Sequence, residues 1–293
     1  MRKLWNSILK QSIESDTPMS IVRAGSAECN VLYNHKFKNI YVKNPKKFID
    51  IQNRLSFEAG VYASNIKSLD KWCELYLDAM ASADYACACT FLLNDKFNQE
   101  NKIFSYLQKN NRLKVKLYYN KIYDYISGYK LDKDSWHYQL NNKKVLVISN
   151  AEQTFRHQAD IYHKMWPGIK FNKFHFVKIP FDGILNGTND NIEWDLKLEK
   201  AKTEISNLDF DIALIGCGGL GLILSSFIKR NIKKTSIYLG SGLFHYFCIK
   251  FTRQESKLKG DSYYNNPYST YVFDEETPVN THLLKNAYWK PKN

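Results

Sequence analysis

Between Asp209 and Lys229 the chain reads DFDIALIGCGGLGLILSSFIK, and this stretch narrows the choice of folds more than any other. Ile212, Ala213, Leu214 and Ile215 form an apolar run of strand length, Gly216-Cys217-Gly218-Gly219-Leu220-Gly221 follows directly, and an apolar helical pattern begins at once. A strand, a glycine-rich turn and a helix start in succession form a βα unit. The free N–H groups of such a helix start, with no side chains in the way, suit an anion such as phosphate. The plainer reading is a tight strand-to-helix turn that binds nothing. A G-x-G-x-x-G pattern gains weight when strand and helix both stand where the mechanism needs them, as they do here.

The same alternation continues along the chain. Val145–Ser149 (VLVIS), Phe174–Ile179, 211–215 and Thr235–Leu239 (TSIYL) read as strands, with helices over 151–165, 193–207 and 220–231 between them. Upstream, Met19–Arg23 (MSIVR) reads as a short strand, followed after Gly25 by a helix from Ser26 or Ala27. Residues 64–82 carry Ile66, Leu69, Trp72, Cys73, Leu75, Tyr76, Leu77 and Met80 at helical spacing, with Ser64 or Ser68 as the cap. Tyr85–Leu93 is expected as a buried strand, while 100–126 mixes helical and aromatic signals and gives no clear element. Apolar strands alternating with helices predict an α/β, Rossmann-like fold, a mostly parallel sheet with helices on both faces. The expected organisation is a single α/β domain over 1–293, with an N-terminal half of about 1–140 and a C-terminal half of about 141–293.

Composition excludes several classes. A chain of 293 residues with 44% hydrophobic and 15% aromatic content buries a large core and is not disordered. No apolar run approaches the roughly 20 residues that span a bilayer. The N-terminus reads as a helix with Leu4, Trp5, Ile8, Leu9 and Ile13 on one face, without the apolar stretch or cleavage site of a signal peptide. The six cysteines include no C-x-x-C pair, and five lie in apolar or glycine-flanked surroundings, so reduced thiols in a cytoplasmic protein are expected and zinc is not. A net charge of +13, with lysines scattered rather than gathered in a tail, is read as a solvated surface, as attraction to anionic substrates or lipids, or as nucleic-acid binding. No nucleic-acid-binding signature supports the last.

Ligands of parallel α/β sheets collect beyond the carboxyl ends of the strands. Four strand ends carry small or polar residues there: Gly25-Ser26, Ser149-Asn150, Gly216–Gly221 and Gly240-Ser241-Gly242, and these loops are expected to converge on one cleft. In Arg23-Ala24-Gly25-Ser26-Ala27-Glu28, Arg23 suits a phosphate or carboxylate and Glu28 a divalent metal or a base, the alternative being an Arg23–Glu28 ion pair. Asn150, Glu152 and Arg156 stand at a second strand end, where a helix cap with a first-turn acid is the plainer account. His245, two residues past a Gly-Ser-Gly turn and flanked by aromatics, is a packed core histidine or a ligand-facing one. The acid that holds a nicotinamide ribose is expected about 20 residues beyond the glycine turn, and Ile237-Tyr238-Leu239-Gly240 contains none, which counts against NAD.

With these motifs placed, the chain resembles glycosyltransferases of the GT-D fold and the uncharacterised bacterial and viral proteins related to them. The resemblance rests on Ile21–Glu28, Val145–Ser149, Asp211–Gly218 and Ile237–Gly242, with Phe247–Lys250 and Tyr288-Trp289 near the end, and it spans about residues 18 to 290. It implies a nucleotide-sugar donor, UDP-linked in one form, on a Rossmann-like sheet. An Asp-x-Glu motif after the first strand is implied to assist Mn2+ or Mg2+ and the diphosphate. Glu28 stands at the Glu position, and Ser26 replaces the Asp. That departure leaves Arg23 and lysines to neutralise the diphosphate, or a further acid such as Glu152 to be recruited.

The expected activity is therefore transfer of a sugar to a glycan, glycoprotein or lipid-linked acceptor, in surface-polysaccharide or glycoprotein assembly. The expected site comprises Arg23 and Glu28 as catalytic groups, with Glu28 also as metal ligand. Gly25, Ser26, Ser149, Asn150, Gly216, Gly218, Gly219, Gly221, Gly240, Ser241, Gly242 and His245 bind the nucleotide. The basic surface is expected to bring the protein to phosphorylated substrates or an anionic membrane face without insertion. A Rossmann-type protein for NAD or another nucleotide, and a non-catalytic binding module with a degenerate site, are the other readings. Nothing in the sequence fixes an oligomeric state.

Overall fold

The computed structural model describes residues 7–8, 11–14, 17–38, 44–88, 99–110, 116–119, 135–180, 188, 190–250 and 263–278. Leu4, Trp5 and Leu9 of the expected first helix, the end of the expected strand beyond Ala88, and the closing stretch from 279 to Trp289 lie outside these residues. In chain order the elements are β1 Ser20–Arg23, α1 Ser26–Lys36, α2 Pro45–Ala59, α3 Ile66–Ser82, β2 Tyr85–Ala88, α4 Gln99–Lys109 and β3 Lys116–Tyr119. After a 3-10 turn at Trp136–Leu140 come β4 Lys144–Ser149, α5 Glu152–Asp160, α6 Tyr162–Met165, β5 Lys173–Lys178, α7 Trp194–Ser206 and β6 Ile212–Gly216. The chain continues through α8 Gly221–Phe227, β7 Thr235–Tyr238, α9 Gly242–Tyr246, β8 Ile249–Lys250 and β9 Thr270–Tyr271.

Seven strands form one sheet in the order β3-β2-β1-β7-β6-β4-β5, and each neighbouring pair is parallel. The α/β, Rossmann-like architecture is thus present, with both halves of the chain contributing to one sheet. Alternate residues on each strand serve opposite cores, as the two-residue period of a strand requires. Leu146, Ile148, Ala213, Ile215 and Tyr238 face a core shared with α1 to α4, α7 and α8. Val145, Val147, Ile212, Leu214 and Ile237 face a second core with Phe155, Tyr162, Met165, Leu243, Phe244 and Tyr246. Three buried serines pair with one another: Ser225 Oγ lies 2.8 Å from Ser20 Oγ and from Ser236 Oγ, joining α8 to β1 and β7.

Several local expectations change. The cap of α3 is Asn65, whose side chain accepts from Ser68 N at 2.9 Å. Ser68 instead sends its hydroxyl to Glu193 Oε2, 2.9 Å away. The helix expected over 151–165 breaks at Ile161 into α5 and α6. The one expected over 220–231 is a 3-10 turn at Gly218–Leu220, then α8, then a π turn at Ile228–Ile232, which ends at Lys233 with φ +60°. Helix α2, which the sequence reading did not anticipate, starts at Asn44-Pro45 and stops at Gly60, where φ is +65°.

Candidate functional site

Four of the seven strands, β1, β7, β6 and β4, are consecutive neighbours, so their carboxyl ends form one continuous edge. Register aligns those ends: Ser149 lies opposite Gly216, Ile215 opposite Tyr238, and Gly240 N donates to the Ile215 carbonyl at 3.1 Å. β1 sits where the order of strands reverses, with β2 and β3 on one side and β7 on the other, the position where open α/β sheets take ligands.

At this reversal Arg23 leaves β1 and lays its guanidinium against Gly240. A Cβ at 240 would overlap Nη2, Nε and Cζ of Arg23, and φ of +56° at that residue independently favours glycine. Gly25 is short of a side chain for a matching reason: a Cβ there would overlap the carboxyl group of Glu28, which folds back across the start of α1. Arg23 is 9% and Glu28 5% exposed. Burial pushes the Glu28 carboxyl up, the Arg23 charge and the Tyr238 hydroxyl pull it down, and Glu58 pushes it up again.

Tyr238 lies on the first-core side of β7 and joins these groups to the glycine turn. Its hydroxyl bonds the Glu28 carboxyl and donates to the Gly218 carbonyl at 2.9 Å. The Arg23 guanidinium carbon stands 5.7 Å from the centre of its ring. Tyr76 from α3 completes the cluster. Its hydroxyl accepts from Gly25 N at 3.4 Å, and burial beside Glu28 raises its pKa well above that of a free tyrosine. Glu28 and Gly218, remote in sequence, are therefore bridged by one side chain.

The glycine turn is closed in on its other side. Gly218, at φ +63°, runs against the Ala59 carbonyl at the end of α2. A Cβ at Gly219 would come within 2.8 Å of Val61 and 3.2 Å of Trp72, whose Nε1 donates to the Gly219 carbonyl at 3.3 Å. A Cβ at Gly221 would overlap the Tyr238 ring. The missing side chains at 219 and 221 thus make room for Val61, Trp72 and Tyr238, a packing role that the glycine pattern alone did not distinguish from ligand approach. Gly216 in turn lies under the Gly240 carbonyl and Leu243, tying the two glycine loops together.

The remaining candidates have other surroundings. Ser26 is exposed. Ser149 receives the Ala151 N–H at 3.3 Å and, with the half-buried Asn150, leads into α5. There Gln153 N, Thr154 N and Thr154 Oγ1 all donate to the Glu276 carboxylate at 2.7 Å. Glu152, the suggested extra acid, pairs with Arg156 at 2.6 Å instead. Ser241 is half-buried and Gly242 opens α9. His245 is 1% exposed and stacks on Tyr263 with ring centres 4.3 Å apart, which is the packed-histidine alternative. The residues the sequence reading missed are Tyr238, Tyr76, Trp72 and Glu58. Tyr76 and Trp72 were read only as apolar positions of an amphipathic helix, and Tyr238 only as a strand residue.

Among the described residues no three His, Cys, Asp or Glu side chains gather as a metal-holding group. Glu28 shares its space with the Arg23 guanidinium, whose charge repels a divalent cation, and the exposed Ser26 brings no second carboxylate. As arranged, these residues do not fit a divalent metal.

A parallel sheet wound on both faces, with a buried arginine–carboxyl cluster at the reversal of strand order, defines a doubly wound α/β protein with a polar site at its carboxyl edge. The chain belongs to the GT-D-like family: the family model for the GT-D fold-like domain matches residues 3–245. Comparison with curated proteins and with solved structures returns no match.

Proposed function

We propose that the protein transfers a sugar from a nucleotide-sugar donor to the hydroxyl of a glycan, glycoprotein or lipid-linked acceptor. The observation that carries this reading is the bridge from Arg23 and Glu28 through Tyr238 to Gly218, which gathers the arginine, the carboxyl group and the glycine turn at one strand edge. In the reaction the bond between the sugar's anomeric carbon and the diphosphate breaks, and a bond to the acceptor oxygen forms. The acceptor's proton passes to a base, and the nucleoside diphosphate leaves. Arg23 is suited to offset the charge that grows on the diphosphate, because a fixed cation at a buried site needs no reorganisation at the moment of reaction. Glu28 is suited to orient the acceptor hydroxyl and take its proton.

Neutralisation by Arg23 in place of a metal follows from the fit of the site, so donor binding is expected without Mn2+ or Mg2+. Five described cysteines, Cys29, Cys73, Cys87, Cys217 and Cys248, are buried thiols in no disulfide, which supports the reading of a reducing, cytoplasmic setting. No described helix is long and apolar enough to cross a membrane. The charge of +13 supports approach to anionic lipids or phosphorylated acceptors.

A second reading, a nucleotide-binding module without catalysis, is favoured by one observation: Arg23 and Glu28 are both almost fully buried. Calorimetric titration of UDP, GDP, CMP, UDP-sugars and NAD, with and without Mn2+, followed by an assay of donor turnover, separates the two. Binding of one nucleoside diphosphate, weakened by Arg23→Ala, with turnover of its sugar conjugate lost in Glu28→Gln, supports the transferase. Binding without turnover favours the module. Tight binding of NAD alone sinks the transferase, and binding of nothing sinks both.

A further inference from the structure

We propose that Tyr238 is a positioning residue, which fixes the gap between the Arg23–Glu28 loop and the glycine turn and so the span of the diphosphate held there. This rests on the nucleotide-sugar reading for its ligand, though the clamp itself stands on contacts alone.

The buried side chain of Tyr238 touches each part of the cluster at a different point. Its hydroxyl bonds Glu28 from α1 and donates to Gly218 at the turn. The ring fills the space that a side chain at Gly221 would take, and its face lies under the guanidinium of Arg23 from β1. Its own backbone belongs to β7, between β1 and β6. A residue needed only to fill the core would lose nothing as phenylalanine, since the ring supplies the volume. The hydroxyl is what the packing does not explain: a buried polar group with a backbone carbonyl on one side and a carboxyl group on the other. Its single proton serves the Gly218 carbonyl and the Glu28 carboxyl group, whose charged form the hydroxyl favours, so the two loops share one hydrogen-bond donor. Tyr76 from α3 takes its hydrogen bond from Gly25 N, so it does not duplicate the link.

The test is Tyr238→Phe, which keeps the ring against Gly221 and Arg23. Amide hydrogen exchange at 217–221 and calorimetric titration with UDP are compared with wild type. The expected result is exchange at the turn faster by about tenfold or more at nearly unchanged melting temperature, with UDP affinity lower by about tenfold. General loosening is told apart by a cycle with Glu28→Gln, because the effect of Tyr238→Phe on UDP affinity shrinks in that background only if the two residues act together. Unchanged exchange overturns the proposal, and so does faster exchange with unchanged UDP affinity. If wild-type protein binds no nucleotide, the transferase reading falls, and the exchange comparison alone decides whether Tyr238 holds the loops together. If Tyr238→Phe does not fold, wild-type protein labelled with 3-fluorotyrosine takes its place. A Tyr238 fluorine resonance that shifts on adding UDP supports the proposal, and one that stays fixed overturns it.

Discussion

At Gly240 the chain forgoes a side chain so that Arg23 can lie flat against its backbone. Gly240→Ala therefore meets two penalties, a positive φ that costs an ordinary residue roughly 1–2 kcal/mol and a clash with the guanidinium. We expect a loss of about 2 kcal/mol or more in urea unfolding, with weakened UDP binding on the same variant. Arg23→Lys is expected to keep the charge but lose the planar contact with Gly240, lowering UDP affinity about tenfold by calorimetry. His137 offers a prediction of a different kind. It is fully buried, its rings of contact are Tyr138, Trp166 and Tyr246, neither of its nitrogens has a hydrogen-bond partner among the described residues, and burial pushes its imidazole from the ordinary 6.5 down to about 3. The unfolded chain then binds the proton more readily, so His137 lowers stability progressively as pH falls from 6.5 towards 3. Its share by pH 4.5 is about 3 kcal/mol. His137→Phe is expected to flatten this acid limb, as measured by urea midpoints at pH 7.5 and 4.5. Arg23, Gly25, Glu28 and the two glycine loops were legible in the sequence because charge and glycine stand out at strand ends. Tyr238 was not, because a tyrosine inside an apolar strand looks like core until its neighbours across the sheet are known.

Helix α2 shows the same limit for whole elements. Its boundaries were present in the chain, Asn44 and Pro45 opening it and Gly60 closing it, the usual asymmetry of helix ends. What no local pattern could show is that the carbonyl of its last residue, Ala59, presses on Gly218, far along the chain. Gly218→Ala is expected to separate α2 from the turn and to destabilise the protein by at least about 2 kcal/mol, read by thermal unfolding. The start of α5 depends on an equally distant partner. Glu276 occupies the N–H groups that every helix start leaves open, and Thr154 Oγ1 in turn accepts from Phe273 N at 3.0 Å. Removing these bonds in Glu276→Ala should cost about 2–3 kcal/mol and hasten proteolysis within 263–278. The segment is held further by Gln158, whose Nε2 donates to the carbonyls of Phe247 at 2.8 Å and Tyr268 at 3.1 Å. Glu276, Phe247 and Tyr268 lie beyond the residues matched by the family, which end at 245, and bond α5, which lies within them.

For the whole molecule, the alternation of apolar strands with helices was enough to give a parallel sheet covered on both faces. The order of the strands was out of reach of the sequence, because nothing local states that β7 returns to lie between β1 and β6. That return has a consequence in time. Met19 N pairs with Thr235 Oγ1 and Ser236 N with the Met19 carbonyl, contacts that span 216 residues in the first case. A chain made at about 5–20 residues per second waits on the order of 10–40 seconds between emergence of the two strands. Through that interval one flank of β1 stays open on the ribosome, an apolar ribbon with unspent hydrogen bonds and neighbouring nascent chains within reach. Yield of this protein in a cell should therefore respond to synthesis speed and to chaperones that shield strand edges, independently of how stable the finished fold is.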